Sequence, residues 1–277
     1  MSSDPAPSIS LPRLVRRLAR GARSRGGRIL REGWLGGVVT GVRLGLMSRE
    51  ELHALDERYY SGGKAGEHID YAGEAHNRSG LAEWERRVLE RFFPPRGRLL
   101  VMGAGGGREV LALARMGYDV DGFEPHPGLV DFANSLLERE GVSSRVSVSA
   151  RDETPRSDAR YDGVIVGWGA YMLIQGRARR IALLRGLRAL AAPGAPVVLS
   201  FFYRDPGSPF RHGLIARLGS ALRRRRGDEP VEEGDALAPN FVHLFTEAEV
   251  RSELAEAGWD PVFHDTFGTG HAVARPR

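Results

Sequence analysis

Apolar positions along this 277-residue chain fall into two kinds of pattern. Short continuous or alternating apolar runs predict strands, and stretches with apolar residues three and four apart predict helices. Leu99-Leu100-Val101-Met102 is a continuous run, and Arg108 to Met116 follows at helical spacing until Gly117 stops it. Tyr118 to Phe123 alternates and ends at Glu124, after which Pro127 to Glu140 turns Leu129, Val130, Ala133, Leu136 and Leu137 to one side before Gly141. Further strands are predicted at Arg145 to Ala150, Asp162 to Gly167 and Pro196 to Tyr203, with an amphipathic helix at Gln175 to Ala192. Thr246 with Glu249 is a capping box for a helix ending at Gly258, and Pro261 to Phe267 with His271 to Ala274 predicts a terminal hairpin. Such alternation predicts an α/β fold built on a parallel sheet, with right-handed crossovers and helices on both faces.

Helices dominate ahead of this unit. Leu11 to Leu30 carries seven arginines among scattered apolar residues and predicts a basic amphipathic helix, solvated or facing an anionic partner. Trp34 to Met47 is apolar and glycine-rich, with Arg43 inside it, and predicts a helix packed on a domain. Ser48 to Glu51 is a capping box opening a helix through Tyr59, and Asn77 to Phe93 predicts another, ended by Pro94-Pro95. The resulting division is a basic N-terminal extension over 1–45, a helical lid over 46–97 and the α/β domain over 98–277. That domain carries an insertion over 204–240, where the arginines 223–226 precede an acidic tract expected to neutralise them.

Composition narrows the chemistry. With no cysteine, disulfides, thiolate metal sites, a catalytic thiol and an iron–sulfur cluster are excluded. No apolar run approaches the ~18 residues of a membrane span, so the expected compartment is the cytoplasm. The formal charge of +5 rests almost wholly on arginine, Lys64 being the only lysine, and is weak evidence for a nucleic-acid partner. Ser-His-Asp, GxxxxGK and His-Glu-x-x-His patterns are absent, and no metal site is expected.

The segment Gly103-Ala104-Gly105-Gly106-Gly107 joins the first strand to the first helix of the α/β unit. Glycine permits a tight turn there and lets a ligand approach the backbone. A dinucleotide fingerprint would need a third glycine where Arg108 stands, whereas G-x-G-x-G is satisfied by Gly103, Gly105 and Gly107. Glu124, at the carboxyl end of the next strand, is placed to accept hydrogen bonds from both hydroxyls of a ribose. These residues resemble the class I S-adenosylmethionine-dependent methyltransferases from about Leu99 to the C-terminus. The resemblance implies a Rossmann-like seven-stranded sheet with one antiparallel strand, helices on both faces and an N-terminal helical extension, with S-adenosyl-L-methionine as cofactor. Val101 departs from the family, which often carries an acid there, and this leaves the methionyl ammonium to some other residue.

By that resemblance, Gly103, Ala104, Gly105, Gly107 and Glu124 bind the cofactor, Asp152 meets the adenine amino group, Trp168 borders the sulfonium and Arg78 pairs with the methionyl carboxylate. The helices of the lid are expected to cover the cofactor and shape the acceptor pocket. Methyl transfer from a sulfonium is largely a matter of alignment, and a general base is needed only where the acceptor sheds a proton. His243, Tyr171 and Tyr60 are the candidates for that base. The expected function is methyl transfer to O or N of a small-molecule acceptor. The alternatives are a methyltransferase acting on RNA or another anionic polymer, and a non-catalytic scaffold that binds S-adenosylmethionine.

Overall fold

The computed structural model describes residues 25–61, 64–65, 69–204 and 209–277. The basic stretch before residue 25 lies outside them. The first long helix, α1 (Arg25–Leu46), is followed by α2 (Arg49–Ser61), whose predicted capping box forms: Ser48 N–H donates to Glu51 Oε2 at 2.7 Å and Glu51 N–H to Ser48 Oγ at 3.2 Å. A two-residue ladder, β1 (Lys64–Ala65) with β2 (Ile69–Asp70), leads to the short α3 (Glu74–Asn77) and to α4 (Glu83–Phe92). The helix expected over 77–93 is therefore interrupted. Gly80, with φ of +83°, breaks it between α3 and α4.

The α/β unit then runs β3 (Arg98–Met102), α5 (Arg108–Arg115), β4 (Asp119–Glu124), α6 (Pro127–Arg139), β5 (Arg145–Val148), β6 (Gly163–Val166), α7 (Arg177–Leu190) and β7 (Val197–Phe201). After α8 (Pro209–Arg224) and a small pair, β8 (Asp235–Leu237) with β9 (Phe241–His243), the chain closes with α9 (Glu247–Glu256), β10 (Trp259–Asp265) and β11 (Gly270–Pro276). The seven strands lie in the order β10-β11-β7-β6-β3-β4-β5, all parallel from β7 to β5, with β11 antiparallel to both its neighbours. The antiparallel last strand agrees with the expectation from sequence.

Alternation along the buried strands divides the core between two faces. Leu99 and Val101 join Val198 and Val273 under α4, α5 and α6, while Leu100 and Met102 join Val164, Leu199 and residues of α7 and α9. The apolar run of β3 is continuous because both of its faces are covered. The chain order reverses beside β3, so its carboxyl end and that of β6 open the crevice where ligands of such sheets sit.

Helix α1 packs along α8. A Cβ on Gly45 would lie 2.9 Å from Gly219 Cα, and one on Gly41 would lie 3.0 Å from Ile215 O, so glycine is what lets the two backbones approach. The other side of α1 exposes Leu35, Val39, Val42 and Leu46. Arginines at and just beyond the end of α8 turn back to α1: Arg223 donates to Leu44 O at 3.0 Å and Met47 O at 3.3 Å, and Arg226 donates to Leu46 O, filling carbonyls that a helix end leaves open. The acidic tract is only partly neutralised by its neighbours. Asp228 pairs with Arg226, but Glu229 and Glu232 pair with Arg179 and Arg180 of α7. Among the described residues, no helix is long and apolar enough to cross a membrane.

Candidate active site

The glycine loop is fastened to the end of β4. The N–H groups of Gly103 and Ala104 donate to Phe123 O at 2.8 and 3.0 Å, Gly105 N–H donates to Glu124 Oε2 at 2.9 Å, and Gly107 N–H donates to Ala104 O. These amides are spent inside the turn rather than left open for a ligand. Positive φ angles of 68°, 54° and 96° at Gly103, Gly105 and Gly107 give the bend its shape. Gly107 then caps α5.

Over this bend lies a cleft of about 590 Å³, bounded by Gly103, Gly105, Glu124, Trp168, Tyr60, Tyr71, His126, Arg151 and several apolar side chains. Glu124 is 4% exposed. Its Oε1 accepts the His126 N–H at 3.1 Å and lies 2.5 Å from His126 Nδ1. A carboxylate offers about four acceptor positions, and with three taken by Gly105 and His126 one remains on Oε2 for a ribose hydroxyl. Tyr60 stands 5.0 Å from the His126 ring and 5.5 Å from the Tyr71 ring, which makes one wall aromatic. Burial pushes the Tyr71 phenol up to about 12, with the negative charges of Glu109 and Glu124 adding to it.

The lid is tied down by ion pairs. Asp56 of α2, 1% exposed, pairs with Arg151 and accepts Asn240 Nδ2 at 2.7 Å, and Arg49 pairs with Asp152. The connection from β2 to α3 is pinned onto the loop itself: a Cβ on Gly106 would fall 2.1 Å from Tyr71 O, and Asn77 Nδ2 donates to Tyr71 O at 2.8 Å and Gly73 O at 2.9 Å. Opposite, Gly167 N–H bonds Met102 O, and Ser200 Oγ bridges Gly169 N–H and Gly167 O, fixing the turn that presents Trp168.

Of the residues chosen from sequence, Gly103, Gly105, Glu124, Trp168 and Tyr60 are brought together here. Ala104 and Gly107 shape the turn without bordering the cleft. Four others stand elsewhere. Asp152 turns to Arg49 and to Arg179 Nε at 3.8 Å, while its neighbour Arg151 faces the cleft. Arg78 is a surface residue paired with Glu74 and, at 2.8 Å, with Glu140, and it does not border the cleft. Tyr171 is fully buried, donates to Glu253 Oε2 at 2.6 Å and stacks on Phe245. His243 is 1% exposed, with Nδ1 2.7 Å from Asp235. Both are core residues that do not border the cleft. Tyr60 does border the cleft, and burial pushes its phenol upward.

Glu232, Asp235 and His243 offer ligand atoms within 4.8 Å of one another. Arg180 Nη2 sits 2.8 Å from Glu232 and 2.7 Å from Glu253, and Asp235 Oδ2 accepts the Glu232 N–H, so these carboxylates already have partners within the protein. Tyr71, His126 and Arg151 were not singled out from sequence. His126 was open to recognition, since it follows Glu124 by two residues at the same strand end.

Neither the protein-family models nor the curated protein sequences yield a match. Solved structures do. The chain is similar to an S-adenosylmethionine-dependent methyltransferase from Methanosarcina mazei (18% identity, 71% of this chain and 98% of that one, TM-score 0.57). It is also similar to the glycopeptide N-methyltransferase MtfA in complex with S-adenosylmethionine (16%, 72% and 88%, 0.53) and to the [4+2]-cyclase SpnF (14%, 72% and 84%, 0.50). The chain therefore has the Rossmann-like fold of the class I S-adenosylmethionine-dependent methyltransferases. Because a cyclase has a similar fold, activity must be argued from the site.

Proposed function

We propose that the protein is an S-adenosylmethionine-dependent methyltransferase that acts on O or N of a small-molecule acceptor. The observation that carries this reading is the side-chain-free bend at Gly103 and Gly105 facing the Glu124 carboxylate across one cleft at the switch point of the sheet. The residues fit the cofactor. Glu124 suits a ribose hydroxyl, the aromatic wall of Tyr60, Tyr71 and His126 suits a nucleoside, and the glycines leave room for the chain that follows it. When bound, the cofactor supplies an electrophilic methyl group on a sulfonium that leaves readily.

The chain's own residues then have to bind, orient and exclude water. Glu124 orients the nucleoside, while the tie of Asp56 to Arg151 holds α2 over the cleft. Trp168 borders the end nearest β6. The enclosure by α2 and the 70–77 segment favours a small acceptor over a polymer. Arginines that would attract a polyanion are engaged on the surface, as in the pairs Arg179–Glu229 and Arg251–Glu247. Incubation with methyl-labelled S-adenosylmethionine and pooled amine and hydroxyl acceptors tests the reading. Wild type is expected to transfer label and Gly105→Arg, which fills the bend, to fail; equal transfer by both contradicts it.

A further inference from the structure

Trp168 borders two further cavities besides the cofactor cleft. One is a narrow apolar pocket between α4 and the sheet, with room for little more than a small polar group, and the other a wide open groove that also reaches the β10–β11 turn. They share Leu81, Trp84, Glu85 and Trp168 and form one channel beside the cleft. Its walls are set. Trp84 stacks on His271 at 4.7 Å, the β10–β11 turn presses on Trp84 through Gly268, and Arg87 lies over the Phe267 ring at 4.9 Å.

The channel is also acidic at its inner side. Arg108 Nη2 lies 2.6 Å from both Glu85 Oε1 and Glu109 Oε1, and all three side chains are at most 10% exposed. One guanidinium between two carboxylates leaves a net negative charge that water screens poorly. Glu109 stands in the first turn of α5, with Oε1 3.5 Å from the Trp168 N–H, and no donor from another described residue reaches its Oε2. Burial pushes its carboxyl up, Arg108 opposing and Glu85 adding to the shift.

We propose that this channel is the acceptor site, that it takes an amine carried on a flat apolar body, and that Glu109 is the group that receives the amine's proton. The proposal rests on the methyltransferase reading. A flat ring suits the exposed face of Trp168 above the edge of Trp84, and an ammonium suits a pair of carboxylates with one positive partner. An ammonium has no lone pair to attack with. Once its proton passes to Glu109, the nitrogen pair forms the N–C bond to the methyl while the C–S bond breaks and its electrons leave with sulfur. The surplus charge of the acids makes them a better trap for the amine than for a phenol or a carboxylate acceptor. None of the base candidates chosen from sequence has this position.

The test is calorimetry with the full chain saturated with S-adenosylhomocysteine, titrated with tryptamine and with indole-3-acetate, which pair one ring with opposite charges. Tryptamine is expected to bind at least tenfold more tightly. Glu109→Gln, which keeps an oxygen for Arg108, should weaken tryptamine at least fivefold and leave indole-3-acetate and S-adenosylhomocysteine unchanged. Trp168→Ala, at a position 36% exposed, should weaken both indoles. No tryptamine binding, equal affinity for the two indoles, or a charge preference that survives Glu109→Gln overturns the proposal. So does loss of S-adenosylhomocysteine affinity in Glu109→Gln, which would put that carboxylate on the cofactor's own ammonium. Failure of the wild type to bind S-adenosylhomocysteine at all would instead sink the methyltransferase reading.

Discussion

Gly106→Ala separates packing from backbone preference more sharply than any other change in the glycine loop. Gly106 has no positive φ, so the residue's own conformation accepts alanine, and reducing the freedom of the unfolded chain would stabilise the protein by about 0.4–1 kcal/mol. The surroundings do not accept it. The new Cβ would sit 2.1 Å from Tyr71 O and 2.6 Å from Asn77 Nδ2, where ordinary contact begins at 3.4 Å, so the 71–77 segment must retreat by about an ångström or more. That retreat strains the two hydrogen bonds from Asn77, a side chain 1% exposed. Leaving such groups unmade costs about 1–3 kcal/mol each, so a loss of about 2–4 kcal/mol is expected, or about 5–10 °C in Tm for a chain of this size. Gly105→Ala is the control. Its φ is +54° but the nearest atom, Tyr71 Cδ1, is 3.8 Å away, so it should cost only the ~1–2 kcal/mol of a left-handed residue. Differential scanning calorimetry of both variants decides the matter. Gly106→Ala as stable as wild type, or more stable than Gly105→Ala, would refute the close packing of the 71–77 segment on the loop.

Three other outcomes are expected. Burial raises Glu232, but Arg180, together with the Arg177 N–H, outweighs it and leaves the carboxyl below its ordinary 4.5. That lowered value stabilises the fold above about pH 4.5 and is lost as pH falls through the folded value, so Glu232→Gln should flatten the acid side of a Tm-against-pH curve; an unchanged slope contradicts it. Tyr171→Phe removes the hydrogen bond to Glu253 and should cost about 1–2 kcal/mol in thermal unfolding with methyl transfer per folded molecule unchanged, whereas a base would lose turnover. Arg78→Ala should leave S-adenosylhomocysteine affinity within twofold, because its partners are Glu74 and Glu140, and a larger loss by calorimetry would restore it to the site.

The frame of the molecule was legible because its signals are local. The continuous run at β3, the G-x-G-x-G bend and the capping box at Thr246, formed here with Glu249 N–H donating to Thr246 Oγ1, each depend on neighbours within a few residues. Glu124 was legible for the same reason, as the last residue of an alternating strand. Tyr171 and His243 misled because their chemistry is set by distant partners, Glu253 lying 82 residues from Tyr171. After β5, adjacent residues point to different neighbours, so choosing Arg151 over Asp152 needed the positions of Arg49 and Asp56 in α2. Tyr71 enters the cleft only because Gly106 lets its backbone settle on the loop, a contact between segments no periodicity connects.

The central claim is that Glu124 and the glycine bend hold the nucleoside. Titration of S-adenosylhomocysteine into wild type and Glu124→Gln, followed by calorimetry, tests it most directly. Glu124→Gln keeps one oxygen for the Gly105 N–H and loses the charge presented to a ribose hydroxyl. One site per chain is predicted for wild type, with affinity at least tenfold weaker in the variant, or about 1.4 kcal/mol. Equal affinity in the two proteins would contradict the account.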